Sequence, residues 1–291
     1  MSRFSLAVLY LPFSKIMCQI VTRSGFLAIA ILPLLTCFSL DWHRAVAATT
    51  PISSQSVAQA SSPTTPRQRR RLFVPPKAPN TGRIGKSRGT ATRGGGCPAV
   101  DTPLTALVPV YETKTGAKLP MGLTTSEYPT LWFYLPYALT LDRPARLVVE
   151  TSELGTNYMT QQTVLEITNL KAGIVGIPIP KSQAPLQIGQ RANWTLTILC
   201  NPQDAAANKY VDVSLQRVAA DPTLQQQLAT ATLEQRVELY GAAGLWENTL
   251  TTLAQLRHAA PNDRTLAADW QDLLQTANLS GLATQPMTYL P

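Results

Sequence analysis

Histidine is nearly absent from this chain: 2 occur in 291 residues, His43 and His258. Charge is sparse too. Asp, Glu, Lys and Arg make up 14%, against roughly 25% in ordinary globular chains. Cysteine occurs 4 times, as Cys18, Cys37, Cys97 and Cys200. These shortages exclude chemistry. Zinc sites built from clustered His and Cys lack their ligands. A Ser-His-Asp triad would have to use His258, which sits on a predicted helix just before Pro261. A disulfide-bonded cysteine is no nucleophile. Gly85-Lys86-Ser87 imitates the end of a phosphate loop, but the motif's first glycine falls on Asn80 and no strand precedes it. Gly94–Gly96 lacks dinucleotide-loop spacing. No metal and no cofactor is expected.

Carboxylates are what remains for catalysis. Glu127, Asp142, Glu150, Glu153 and Glu166 could by type serve a carboxylate-dependent glycan hydrolase of the cell envelope, which needs two acids flanking the scissile bond. No spacing pairs them, and acids on a sheet surface are ordinarily solvated. The leading expectation is therefore a non-enzyme.

The amino terminus reads as an export signal. Arg23 precedes an apolar run from Gly25 to Leu40, and Ala45-Val46-Ala47 is a small-x-small cleavage site. Residues 1–47 are the expected signal peptide, with Met1 or Met17 as start. Pro33 interrupts the run, which is short for a bilayer span of about 20 residues. An uncleaved anchor stays open, as does a lipoprotein reading of Leu34-Leu35-Thr36-Cys37. Cleavage after Ala47 leaves Cys97 and Cys200. An even pair in an exported chain reads as one disulfide, with two free buried thiols as the alternative. The expected location is the periplasm or cell surface, or a thylakoid lumen.

Residues 48–96 are rich in Ser, Thr, Pro, Gln and Gly. Such a stretch cannot bury enough surface to offset its ordering entropy, so a disordered linker is expected. From Arg67 to Arg93 it carries Arg67, Arg69, Arg70, Arg71, Lys77, Arg83, Lys86, Arg88 and Arg93 and no acid. Export argues against nucleic acid as its partner. An anionic surface or polysaccharide fits, and so does a soluble tether with no partner. From Cys97 onward there are 12 Lys and Arg against 16 Asp and Glu, a balance of −4. The net +8 of the chain therefore belongs to the signal and linker.

Residues 97–220 read as strands. Trp194, Leu196, Ile198 and Cys200 alternate with polar residues, as do Val211, Val213 and Leu215, and a loop starting at Asn201 joins the two runs as a hairpin. Thr130–Leu135 reads as a strand buried on both faces. Residues 146–151, 163–168 and 174–179 are further candidates, and 104–111 an edge strand because of Pro109. Six or seven such runs suggest an antiparallel, immunoglobulin-like sandwich. Residues 221–291 turn helical. Pro222 is a start signal, Thr232–Gln235 a capping box, and Leu233, Val237 and Tyr240 a stripe. Gly244 breaks that helix. Trp246, Leu250, Leu253 and Arg257 mark the next, and Leu266, Trp270, Leu273, Leu274 and Ala277 a third.

Tyr240, Gly244, Trp246, Leu253, Leu256 and Pro261 resemble the spacing of a tetratricopeptide repeat. Thr249 stands where that motif has a small residue, and Leu233, Arg236 and Val237 do not match. A single tetratricopeptide-like hairpin plus one helix, docked on the sandwich, and a helical cap with coincidental spacing both stay open. Tyr240 and Trp246 are candidates for a surface that binds another envelope protein.

A wider resemblance spans nearly the whole exported chain. The blocks are Arg93–Pro109 (Arg-Gly-Gly-Gly-Cys-Pro-Ala-Val-Asp-Thr-Pro), Thr130–Pro136 (Thr-Leu-Trp-Phe-Tyr-Leu-Pro), Leu186–Gln190 with Trp194–Pro202, and Ala243–Trp246 with Leu253–Arg257. In this order they resemble a cyanobacterial family of exported proteins, the domain-of-unknown-function family numbered 928. The resemblance implies the boundaries, the cysteine pair and the exported setting. It implies no activity. The expectation is thus an exported, non-catalytic binding or structural module.

Overall fold

The computed structural model describes residues 71–77, 84–89, 96–153, 156, 158–201 and 203–288, all within one unit, Pro63–Pro291. The expected signal peptide and the cations Arg67, Arg69, Arg70, Arg83 and Arg93 lie outside the described residues. No helix among those described is long and apolar enough to cross a membrane.

The described residues form a mixed α/β fold of ten strands in two sheets and four α-helices. The strands are β1 (Thr105–Ala106), β2 (Val110–Glu112), β3 (Lys118–Thr124), β4 (Thr130–Leu135), β5 (Ala145–Ser152), β6 (Met159–Ile167), β7 (Gly173–Pro178), β8 (Arg191–Ile198), β9 (Lys209–Arg217) and β10 (Met287–Thr288). The narrow sheet runs β1-β4-β7-β10, and the wide one β2-β3-β9-β8-β5-β6. The chain crosses from one sheet to the other at 107–109, where Pro109 cannot donate to a ladder.

Period-two alternation builds the core between the sheets. Leu131, Phe133 and Leu135 of β4 meet Leu147 and Val149 of β5, Trp194, Leu196 and Ile198 of β8, and Val211, Val213 and Leu215 of β9. The other face of β4, Trp132 and Tyr134, packs under the helices with Ile174. That is why every residue of Thr130–Leu135 is buried: the narrow sheet is the middle layer of three.

The helices are α1 (Pro222–Thr230), α2 (Leu233–Ala242), α3 (Trp246–Ala259) and α4 (Arg264–Thr276). Asp221 caps α1 and Asp263 caps α4. Thr232 and Gln235 form the full capping box of α2. Their apolar faces meet in a second core with Trp246, Leu250, Leu253, Trp270, Leu273 and Leu274.

Four expectations need correction. The sheets are not wholly antiparallel: β3 runs parallel to β9 and β10 parallel to β7. Strand β3 escapes the pattern because Pro120 and Gly122 interrupt it; beyond its short hairpin with β2 it pairs with the distant β9. The 221–291 segment is not helical to its end, since β10 returns to the narrow sheet. Leu233, assigned to an apolar stripe, is 44% exposed.

The fourth correction concerns the linker, which is docked in two places. Leu72 and Phe73 are buried in the helical core, with Phe73 edge-on to Trp246 at 5.0 Å between ring centroids. Val74 donates its N–H to the Gly241 carbonyl (3.0 Å). Lys86 bridges Asp212, and Arg88 bridges Thr105. Averaged over 48–96 the composition is that of a linker; the tripeptide Leu72-Phe73-Val74 is a local exception.

Gly241 makes that strap possible. A Cβ there would overlap the Leu72 carbonyl oxygen. In an exposed helix Gly→Ala gains roughly 0.5–1 kcal/mol; here overpacking costs about 1–3 kcal/mol and should win. Gly241→Ala is therefore expected to release the strap and speed tryptic cleavage after Arg71 and Lys77 about tenfold. Unchanged cleavage would mean that the strap is not held at Gly241.

Candidate functional site

The wide sheet overhangs the narrow one on its β5–β6 side. Residues 145, 147, 149 and 151 of β5 pair with 167, 165, 163 and 161 of β6 and share their inward face. Along that face Ala145, Leu147 and Val149 give way to Thr151, and Ile167 and Leu165 give way to Thr163 and Gln161. Core thus becomes polar toward one end. There a groove of 360 Å³ opens, walled on the far side by Ile179, Gln183, Ala184 and Leu186 and bounded by Glu127 and Pro129. Thr163 Oγ1 donates across it to Gln183 Oε1 (2.8 Å).

Trp194 lies on the groove's inner wall, between Val213 of β9 and Val149 of β5. Its residue is only 4% exposed. Neither its Nε1 nor the buried Oγ1 of Thr151, also in the lining, has a hydrogen-bond partner among the described residues. An unsatisfied buried polar group costs about 1–3 kcal/mol, and folded proteins carry few. Both residues line the groove, with these two atoms beneath its surface.

The acid in the lining, Glu127, is held from behind. Arg217 donates Nη2 to Glu127 Oε1 (3.2 Å), Nε to the Thr125 carbonyl (3.1 Å) and Nη1 to the Leu186 carbonyl (2.6 Å). It thereby ties the 124–130 loop to the opposite wall. The same loop is anchored from the helical layer. Glu247, at the start of α3, is buried. It accepts from Thr124 Oγ1 (2.6 Å), the Thr130 N–H (3.0 Å) and Thr251 Oγ1 (3.0 Å). Next to it, Asn248 accepts from the Thr125 N–H (2.9 Å) and donates to Thr125 Oγ1 (3.1 Å).

Burial pushes the Glu247 carboxyl up, and the three hydrogen bonds only partly oppose that. A carboxyl raised on folding holds its proton longer in the native state, so native protein binds more protons than unfolded protein through that window. Its contribution to stability is full below the ordinary glutamate range and is lost as pH rises through the folded value. Glu247→Gln should flatten that fall, because the Gln amide can donate to Thr124 Oγ1 while that hydroxyl turns to Asn248 Oδ1, 3.2 Å away. Urea midpoints from pH 4 to pH 8 check this. An identical pH slope in both proteins would remove Glu247 as the cause.

The other sequence candidates do not converge on the groove. Glu166 is exposed and pairs with Arg146 (3.2 Å). Asp142 and Glu153 are exposed elsewhere. Trp246 is not a surface group: it is 1% exposed and donates Nε1–H to the Leu107 carbonyl (2.8 Å). Its place at the first turn of α3, against both β-strand backbone and Phe73, turns it inward. Tyr240 is half-buried, and burial raises its phenol. His258 is exposed.

A larger cleft of 530 Å³ lies between 85–88, the β2–β3 hairpin and the end of α4. It contains the basic residues Lys86, Arg88 and Lys118. Lys86 Nζ donates to Tyr210 Oη (2.9 Å) and Arg88 Nη2 to the Asn278 carbonyl (2.9 Å). Those cations hold the segment to the domain, so the cleft makes a weaker ligand site than its size suggests. Among the described residues no group of three or more His, Cys, Asp and Glu could hold a metal ion.

Sequence reading missed the groove and Glu247. Glu247 did leave a trace: three and seven residues on, Leu250 and Ala254 share its helix face and are apolar, an unusual setting for an acid.

The architecture places the chain among mixed α/β proteins in which a narrow sheet is covered by a wider sheet on one side and helices on the other. The chain belongs to the family described as Domain of Unknown Function (DUF928), which it matches over residues 88–287. No curated protein matches it. The matched span takes in both sheets from Arg88 onward, all four helices and the groove, but begins after the strap at 71–77.

Proposed function

We propose that this chain is an exported, non-catalytic binding module of a cyanobacterial cell envelope, with the groove beside Trp194 as its ligand site. The observation that carries the reading is a 360 Å³ groove whose lining sets Gln161, Gln162, Thr163 and Gln183 beside Val149, Ile179 and Leu186. On this reading the two sheets act as an immunoglobulin-like sandwich that shapes the groove. The α2–α3 pair is a tetratricopeptide-like hairpin that steadies the groove's rim through Glu247 and Asn248. A partner protein would meet the helical layer through Tyr240 rather than Trp246. The basic stretch ending at Arg93 would meet an anionic surface or polysaccharide.

The rival reading is a carboxylate-dependent glycan hydrolase, favoured by Glu127 at the groove's edge. It needs a second carboxylate within roughly 5–10 Å of the first. Among the described lining residues Glu127 is the one acid, and its Oε1 accepts from Arg217. One experiment separates the readings. Full-length protein, with its tryptophan indoles labelled, is mixed with envelope glycan from the producing cell. Binding moves the Trp194 indole resonance and creates no new reducing ends. Reducing ends that appear with the native protein and vanish in Glu127→Gln would make the chain a hydrolase.

A further inference from the structure

The groove's walls offer side chains rather than free backbone. Strands β5 and β8 use their amides in the wide sheet's ladders. Opposite, Ile179 and Leu186 donate theirs to the Pro129 and Glu127 carbonyls. A peptide held by ladder hydrogen bonds needs an open strand edge; the inward faces of β5 and β8 supply none, and the open edge within reach is that of β6 at the groove's rim.

Inside the groove, recognition comes from side-chain hydroxyls and amides. Thr163, Gln161, Gln162 and Gln183 each both donate and accept. Their complement is a ligand group that also does both, which is a hydroxyl. A charged ligand is poorly matched, because the acid in the lining is already engaged by Arg217. Val149, Ile179 and Leu186 lie between the polar groups and suit the C–H faces of a ring. Trp194 is too buried to offer a stacking face, and its Nε1 is buried with it, so it serves as part of the groove's floor. The groove's 360 Å³ is near the lower end of small-ligand clefts, roughly 300–1,000 Å³, which limits the ligand to one or two rings.

Resting on the reading of this groove as the binding site, the geometry points to a short neutral saccharide as its ligand. The saccharide's hydroxyls exchange hydrogen bonds with the side-chain amides of Gln161, Gln162 and Gln183 and with Thr163 Oγ1, over a floor that includes Trp194 and Thr151.

The test is a titration of indole-labelled full-length protein with maltose, cellobiose, chitobiose, digalacturonate and trialanine. The Trp194 resonance is assigned from a Trp194→Phe spectrum. At least one neutral disaccharide should shift it with Kd below about 1 mM. Gln161→Ala and Gln183→Ala should each weaken that binding at least tenfold with thermal midpoints close to the native protein's. Should Gln183→Ala fail to fold, Gln162→Ala, at an exposed position, replaces it. Digalacturonate or trialanine shifting Trp194 while the neutral sugars do not would overturn the saccharide and leave the groove as a site. Sugar binding that both variants leave unchanged would overturn it as well. A Trp194 resonance unmoved by every probe and by envelope glycan would overturn saccharide and groove together.

Discussion

Trp246→Ala is expected to destabilise the domain by about 3–5 kcal/mol. The indole is 1% exposed and sits where three parts of the chain meet. It starts α3, it donates to the Leu107 carbonyl at the crossing between the sheets, and it receives the edge of Phe73 from the strap. Truncation opens a cavity and strands the Leu107 acceptor. Because Phe73 loses its ring partner, the strap should loosen as well, so tryptic cleavage after Arg71 should accelerate in the same variant. Trp246→Phe keeps most of the volume and loses the donor, and should cost less than half as much. A urea midpoint near the native value for Trp246→Ala would show that the helical layer is held elsewhere.

That prediction shows what sequence could and could not say. The alternation in Trp194–Cys200 and Val211–Gln216 made β8, β9 and their hairpin legible, since each strand buries one face and period two encodes it. The unbroken apolar run Thr130–Leu135 was legible as a strand covered on both sides. Helix starts were legible at Pro222 and Thr232 because capping is chemistry within a few residues. Strand β3 was not, for its own Pro120 and Gly122 mimic a loop, its hairpin partner β2 is only three residues long, and its other partner β9 is about 90 residues away. The strap was hidden for the opposite reason. Its buried pair, Leu72 and Phe73, is too short to change the composition of the surrounding stretch.

The groove was half legible. Reading β5 and β6 at period two gives an inward face that turns polar at Thr151, Thr163 and Gln161. Parity does not say whether such polar residues face solvent at a sheet's end or line a cleft. Here the difference is made by unequal sheet widths and by the chain between β7 and β8, which returns over the overhang and is fastened by Arg217. Those are contacts between residues 125, 127, 186 and 217, and no local pattern records them. Trp194 was visible only as one more core residue. That its indole N–H has no partner among the described residues depends on what every neighbouring strand fails to supply.

Removing the disulfide is the second large effect. Cys97 and Cys200 are joined, with Cα atoms 4.9 Å apart and a sequence separation of 103. Cys200 follows β8, and its N–H donates to Asn208 Oδ1 (2.9 Å). The chain-entropy account gives roughly 4–5 kcal/mol for closing a loop of this length. Cys97→Ser with Cys200→Ser should therefore lower stability by up to about that amount. The native state has other means of holding this end. The Gly89 N–H donates to the Leu104 carbonyl (2.7 Å), and Lys86 and Asp212 exchange backbone hydrogen bonds (2.9 and 2.8 Å). The fold should consequently persist without the bond, and most of the loss should arise in the unfolded chain. The two sources are separable in urea. Freeing the unfolded chain exposes more surface, so the midpoint should fall while the m-value rises. A fallen midpoint with an unchanged m-value would place the loss in the native contacts around Tyr137 and Cys200. An unchanged midpoint would mean that the crosslink constrains neither state, and alkylation of two thiols in the untreated protein would mean that it does not form.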